Sequence, residues 1–198
     1  MHLFHVSEDP NITRFEPREP PNPDAGVTGP AVWAVHPDRL RNYLLPRECP
    51  RVTFYAADHS DPDDVRRLIG PTLAKAVVAI EAPWLERARN STLYLYVLPS
   101  AGFECIDGNA GYWINRASVT PECIQRIDDC LQAILDRGVE LRIVQSLWPL
   151  FDAVVKSSLH YSCIRMRSAA AKCENARHEV TKGGHEGSQR KNSIYSSS

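Results

Sequence analysis

The sequence predicts an α+β domain, built on a mixed but largely antiparallel split sheet with short flanking helices. Three observations point there. Strand-like segments outnumber helical ones and do not alternate with them, as a doubly wound parallel sheet would require. Nine of the 15 prolines fall within the first 50 residues and none follows Pro149. Because proline removes a backbone donor and breaks helix interiors, a long helical N-terminal half is excluded. Finally, 198 residues with 43% hydrophobic and 24% charged content are enough to bury one core.

Leu3–Ser7 reads as a strand, with Leu3, His5 and Ser7 on one face and Phe4 and Val6 on the other. From Glu8 to Pro30 the chain is rich in Pro, Asp and Asn, an ordered surface loop pinned by Ile12 and Phe15. Ala31–Val35 is a buried strand, and Pro37–Leu45 a short helix with proline in its first turn and Tyr43 on it. Arg51–Ala56 is the next strand. Asp61–Ile69 has acids in its first turn and Gly70 behind it, which predicts a helix. Ala76–Ile80 fits strand or helix, Pro83–Arg89 a short helix, and Thr92–Leu98 a strand closed by Pro99.

Phe103–Ile106 and Tyr112–Asn115 flank the turn-rich Asp107-Gly-Asn-Ala-Gly111, the pattern of paired strands. Ile124, Ile127, Leu131, Ile134 and Leu135 follow helical spacing, so a helix is expected between Pro121 and Gly138. Val139–Val144 reads as a strand, Leu147–Val155 as a helix and His160–Met166 as a last strand. Residues 1–168 are expected to form the globular domain. Residues 169–198, rich in Lys, Glu, Gly, Ser and His, are expected to be a disordered polar tail.

A net charge of −1 gives no field that favours nucleic acid or an acidic membrane surface, although six basic residues against three acidic ones follow Arg165. No stretch reaches the roughly 20 apolar residues of a membrane-spanning helix. The N-terminus lacks the cationic and apolar regions of a secretory signal, so a cytoplasmic protein is expected. The six cysteines contain no C-x-x-C pair, which argues against zinc ribbons and thioredoxin-type chemistry. Cys123 and Cys130, placed on the helix expected there, stand about 10 Å apart along its axis, too far for a disulfide. Reduced core thiols are expected.

The candidate site lies in the first third of the chain. His5-Val-Ser7 on a first strand, Asn11-Ile-Thr-Arg-Phe15, Gly29-Pro-Ala-Val-Trp-Ala34 and then Tyr43 resemble the opening of ADP-ribosyltransferase-like domains. The body from Met1 to Ala169 also resembles an uncharacterised family of small bacterial and fungal proteins, a domain of unknown function. The first resemblance implies an ADP-ribosyltransferase-like fold that binds NAD or a related nucleotide. His5 would hold ribose and backbone groups of NAD, Tyr43 would stack on nicotinamide, Trp33 would be the aromatic of the glycine-led strand, and Ser7 would add a hydroxyl contact. These residue types suit the task, since imidazole can donate to a ribose hydroxyl and an aromatic face can hold a flat ring.

Where the resemblance calls for a catalytic glutamate, this chain has Asn109, Ala110 and Gly111. Amide and methyl groups cannot polarise an attacking hydroxyl, so nucleotide binding is expected while transfer activity stays an open question, and Asp107 is the nearest candidate acid. Two alternatives stay open. One is a non-catalytic binding or structural domain that uses the same side chains for packing. The other is an RNA 2′-phosphotransferase-like enzyme with Arg14, Arg18 and Arg47 around a phosphate.

Other patterns are less telling. Asp58-His59-Ser60 has triad residue types, but triads assemble in space and not in consecutive positions. Asp61, Asp63 and Asp64 suit a helix first turn better than a cation site. No P-loop, G-x-S-x-G or G-x-G-x-x-G occurs, and no metal ligand set is apparent.

Overall fold

The computed structural model describes residues 1–20, 26–108 and 110–172. Asn109 and the stretch from residue 173 onward, most of the expected tail, lie outside the described residues. The chain forms a mixed α+β structure of two sheets and a few short helices. Its strands are β1 (His2–Ser7), β2 (Val32–Val35), β3 (Arg51–Tyr55), β4 (Ala76–Glu81), β5 (Leu93–Pro99), β6 (Glu104–Asp107), β7 (Tyr112–Asn115), β8 (Cys123–Ile127), β9 (Val139–Val144) and β10 (His160–Ile164). The helices are α1 (Pro62–Asp64, running into a π-helical turn Val65–Ile69), α2 (Leu85–Asn90), α3 (Cys130–Leu135) and α4 (Trp148–Val155). The helix expected at Pro37–Leu45 is a 3₁₀ helix, Pro37–Asn42, whose Leu40 and Asn42 are buried.

The first sheet has the order β6-β7-β2-β1-β5-β8 and the second β10-β3-β4-β9. Every pairing is antiparallel except β4 with β9, the one place where a crossover joins parallel neighbours. The alternation of side chains along each strand sorts the core into layers. Phe4 and Val6 of β1, Val35 of β2 and Leu95 of β5 meet Tyr55 of β3 and Val78 and Ile80 of β4 in a core shared by both sheets. The far face of the second sheet, with Val52, Phe54, Val77 and Ala79, is covered by α4 and the α1 region. The far face of the first sheet, with Leu3, Val32, Ala34 and Tyr96, is covered by Phe15 and Ile12 of the proline-rich loop. That loop is tied down where Phe15 and Val119 exchange backbone hydrogen bonds of 2.8 and 2.9 Å.

The fully buried β4 (Ala76–Glu81) resolves its strand-or-helix ambiguity, because an apolar run covered on both faces needs no alternation. One expectation is corrected. The helix expected between Pro121 and Gly138 is instead strand β8 followed by the six-residue α3. Pairing decides it: residues 123–127 run antiparallel to β5 and satisfy its otherwise open edge, and backbone bonds of that kind outweigh a helical spacing of isoleucines. Ile124, read as core, is 45% exposed on that edge strand. Cys123 and Cys130 therefore share no helix.

Of the thiols expected in the core, Cys49 and Cys130 are buried, Cys163 is half-buried, and Cys105 and Cys123 are exposed. Burial pushes the thiol of Cys49 up to about 12 and those of Cys130 and Cys163 up to about 11. Those three are held as inert neutral thiols. Among the described residues no helix is long and apolar enough to cross a membrane.

The chain end that is described packs on the body. Glu81, 2% exposed, accepts the Leu147 N–H at 3.0 Å with one carboxylate oxygen and the Ala170 N–H at 2.9 Å with the other. Trp148 Nε1 donates to the Ala170 carbonyl at 2.6 Å, and Lys172 pairs with Asp152 at 2.8 Å. Residues 169–172, assigned to the tail from sequence, are thus docked.

Candidate functional site

The residues proposed for NAD do not converge. Leu3 and His5 share one face of β1, and that face belongs to the layer sealed by Phe15, whose ring centre lies 4.7 Å from that of His5. His5 Nδ1 donates to the Trp33 carbonyl at 3.1 Å. Burial lowers its pKa below the ordinary value of 6.5, and the charges of Arg47 and Arg18 add to the effect. Ser7 accepts the Asp9 N–H at 3.1 Å, a local turn contact.

Tyr43 packs in the layer on the opposite side of the first sheet. Its hydroxyl donates to Tyr112 Oη at 2.8 Å, and the Arg51 guanidinium sits 6.0 Å from its ring centre. Burial raises the Tyr43 pKa far above the usual phenol range, so the group stays neutral. The Trp33 ring meets Tyr112 edge-on at 5.7 Å, and its Nε1 is buried with no partner. Trp33 and Tyr43 are therefore joined through Tyr112, while the sheet itself separates His5 and Ser7 from them. Strand parity accounts for this placement of His5, Ser7, Trp33 and Tyr43: His5 and Phe4 are neighbours and must point to opposite faces, and Phe4 packs in the layer that holds Tyr43.

Of the arginines weighed for a phosphate, Arg14 has its guanidinium engaged, while the contacts of Arg18 and Arg47 are made by their backbone. Arg14 donates to Ser118 and pairs with Glu16 at 2.8 Å. Arg18 forms a backbone bridge with Ala31. The Arg47 N–H donates to Glu8 Oε1 at 2.7 Å.

Asp107 does reach a cavity. Its volume is ≈ 290 Å³, and its wall includes Arg39, Asn42, Thr53, Tyr55, Asp107 and His160. Four pieces of chain build it: the 3₁₀ helix, the inner face of β3, the edge strand β10 and the turn between β6 and β7. Register explains the convergence. Tyr55 stands opposite His160 and Thr53 opposite Ser162, so all four side chains share the face turned toward the first sheet. Asp107 accepts the Ala110 N–H at 2.9 Å, closing the turn that overhangs the opening. Gly111, at φ +71°, completes it: a Cβ there would lie 2.6 Å from Arg39 Cγ, so a side chain at this position would displace the arginine.

Two wall residues stand out. Asn42 is 3% exposed and Thr53 1% exposed, yet Asn42 Oδ1 and Thr53 Oγ1 are buried without a hydrogen-bond partner. Such a group costs roughly 1–3 kcal/mol relative to a satisfied one, and two of them in residues lining one cavity are kept at the expense of stability. Beside them, Tyr55 Oη lies 3.2 Å from His160 Nδ1, and the His59 ring is 5.0 Å from that of His160. The guanidiniums of Arg39 and Arg41 lie 4.8 and 5.0 Å from the Tyr55 ring centre. Arg51, 3% exposed, donates to the carbonyls of Asn42 at 2.8 Å, Pro46 at 3.3 Å and Cys49 at 2.8 Å. Burial brings its pKa down to about 10, still charged at neutral pH.

Apart from Asp107, sequence reasoning singled out none of this wall for a site. Two signals were available. His160-Tyr-Ser162 repeats the His-x-Ser pattern of His5-Val-Ser7, and Arg51-Val-Thr-Phe-Tyr55 alternates polar with apolar residues where a core strand would bury both faces. Arg39 and Asn42 carry no comparable signal.

The architecture and cavity define a class: a two-sheet α+β domain with a polar, arginine-flanked hollow at the edge where its sheets meet. Residues 4–169 match the family described as "Family of unknown function (DUF6886)", and the chain belongs to it. No curated protein and no solved structure matches the chain.

Proposed function

We propose that this chain is a ligand-binding domain whose site is the 290 Å³ cavity, and that it takes a small nucleotide-like molecule there. The observation that supports this reading is that two residues lining the cavity, Asn42 and Thr53, each bury a side-chain oxygen, Oδ1 and Oγ1, with no hydrogen-bond partner. A ligand hydroxyl or amine donating to Asn42 Oδ1 and exchanging a hydrogen bond with Thr53 recovers what folding left unsatisfied. The volume lies at the lower end of the roughly 300–1,000 Å³ of small-molecule sites. It suits one nucleoside- or sugar-sized unit, so NAD would be held by one of its halves. Tyr55 and His160 supply a ring face and a hydrogen-bonding edge at the mouth. Asp107, the acid nearest the position of the absent glutamate, serves here as an acceptor for ligand hydroxyls. The expected cytoplasmic location is part of the same proposal, since such ligands are abundant there.

Calorimetric titration with adenosine, AMP, ADP-ribose, nicotinamide and NAD on the wild type and on Thr53→Val tests the reading. The expected result is saturable binding of at least one of them, weakened at least tenfold by Thr53→Val in a protein that melts no lower than the wild type. Absence of heat from all five, or equal affinity in the variant, overturns it.

A further inference from the structure

Three arginines stand on or near the wall of this cavity. Arg39 is on the wall, Arg41 shares the Tyr55 ring with it, and Arg51 lies on the same face of β3 as Thr53 and Tyr55. Arg51 donates to three neutral carbonyls and, like Arg41, forms no ion pair with a carboxylate among the described residues. Arg41 donates to the Asp38 carbonyl at 2.5 Å and keeps its Nε buried without a partner. Asp107 is on the wall, and the Asp38 carboxylate lies 3.4 Å from His36 Nδ1 and near enough to Arg41 to favour its charged form. A buried cation is ordinarily paired, and its field is screened far less than that of a surface charge. Arg51 is such a cation without a carboxylate, fixed behind a hollow that already lacks hydrogen-bond partners.

We infer that the ligand of this cavity carries a phosphate group, a phosphomonoester of nucleoside or sugar size, held directly by Arg39 and in the field of Arg41 and Arg51. This rests on the cavity being a ligand site. Guanidinium suits the task, since its planar fork matches two oxygens of a phosphate, and several fixed guanidiniums favour a dianion over a single carboxylate. The geometry also assigns the two ends. The phosphate lies toward Arg39 and Tyr55, and the hydroxyl-bearing part toward Asn42 and Thr53. Gly111 belongs to this device, because only a residue without a side chain leaves Arg39 its place.

The test compares AMP with adenosine, with inorganic phosphate as a separate probe, by calorimetry on the full chain at low and moderate salt. AMP is expected to bind at least tenfold more tightly than adenosine and to lose affinity as salt rises, while adenosine does not. Inorganic phosphate is expected to compete with AMP. Arg39→Gln should weaken AMP far more than adenosine, bringing the ratio of the two affinities close to one. Since that variant could also disturb Tyr55, the salt dependence of the wild type stands as an independent readout. Equal affinity for AMP and adenosine at every salt overturns the phosphate assignment while leaving the cavity reading intact. No binding of AMP, adenosine or inorganic phosphate overturns both.

Discussion

His5-Val-Ser7 and His160-Tyr-Ser162 are the same pattern on two strands, and their fates are opposite. β1 is an inner strand, with β2 on one side and β5 on the other. There the imidazole is roofed by Phe15 and bonded to the Trp33 carbonyl, and the serine closes a local turn. β10 is an edge strand, and its histidine and serine look into a cavity that the 3₁₀ helix and the β6–β7 turn leave partly open. The tripeptide therefore carries no chemistry of its own. Its place in the sheet decides whether the polar atoms are consumed by the fold or left for something else.

The largest expected difference is in stability. His5→Ala removes a packed ring and a buried hydrogen bond and should cost about 2–3 kcal/mol in urea unfolding. His160→Ala should cost less than about 1 kcal/mol and instead weaken ligand binding. Equal losses at the two sites would break the comparison.

Next comes a change of opposite sign. Thr53→Val replaces an unpartnered buried hydroxyl by a methyl of the same shape, and should be neutral or stabilising by up to about 1 kcal/mol. A fall in melting temperature of several degrees would show that the hydroxyl is already satisfied in the folded chain.

A pH dependence follows for His5. Burial lowers the His5 pKa below its ordinary value of 6.5, so just below that pH the unfolded chain binds the proton that the folded chain refuses. Acidification therefore favours unfolding. The His5 contribution is fully present above about pH 6.5 and lost as pH falls through the window below it. Unfolding free energies at pH 5 and pH 7.5 should show this slope in the wild type and a shallower one in His5→Gln. The smallest effect belongs to the serines: Ser7→Ala should cost about 0.5 kcal/mol at most, and Ser162→Ala should be silent in stability.

Most strands were legible in the sequence, because runs such as Leu93–Leu98 and Val139–Val144 carry their aliphatic character locally. Cys123–Ile127 was not, since its strand identity comes from the edge of β5, some 30 residues away in the chain. The candidate site was less legible for a related reason. Asp107 could be picked out as an acid in a glycine-rich turn, but the convergence of Asn42, Thr53 and His160 depends on the register of β10 against β3 and on where the 3₁₀ helix lies. No spacing in the sequence encodes either. His5 and Tyr43 went astray because the order of residues along a chain says nothing about which side of a sheet each one faces until the pairing is known.

The Glu81 carboxylate has a bearing on where this fold can be cut. One oxygen holds the start of α4 and the other holds Ala170, so the last described residues serve as a stopper over a buried anion. A chain ended at residue 168, the boundary that composition alone suggests, would expose that oxygen to water or leave it without a donor, and would strip Trp148 of its acceptor. The domain is thus longer than its hydrophobic pattern. Limited proteolysis is expected to spare the bonds between Met166 and Lys172, and recombinant versions that stop short of Ala170 should express as less stable proteins than those that include Lys172.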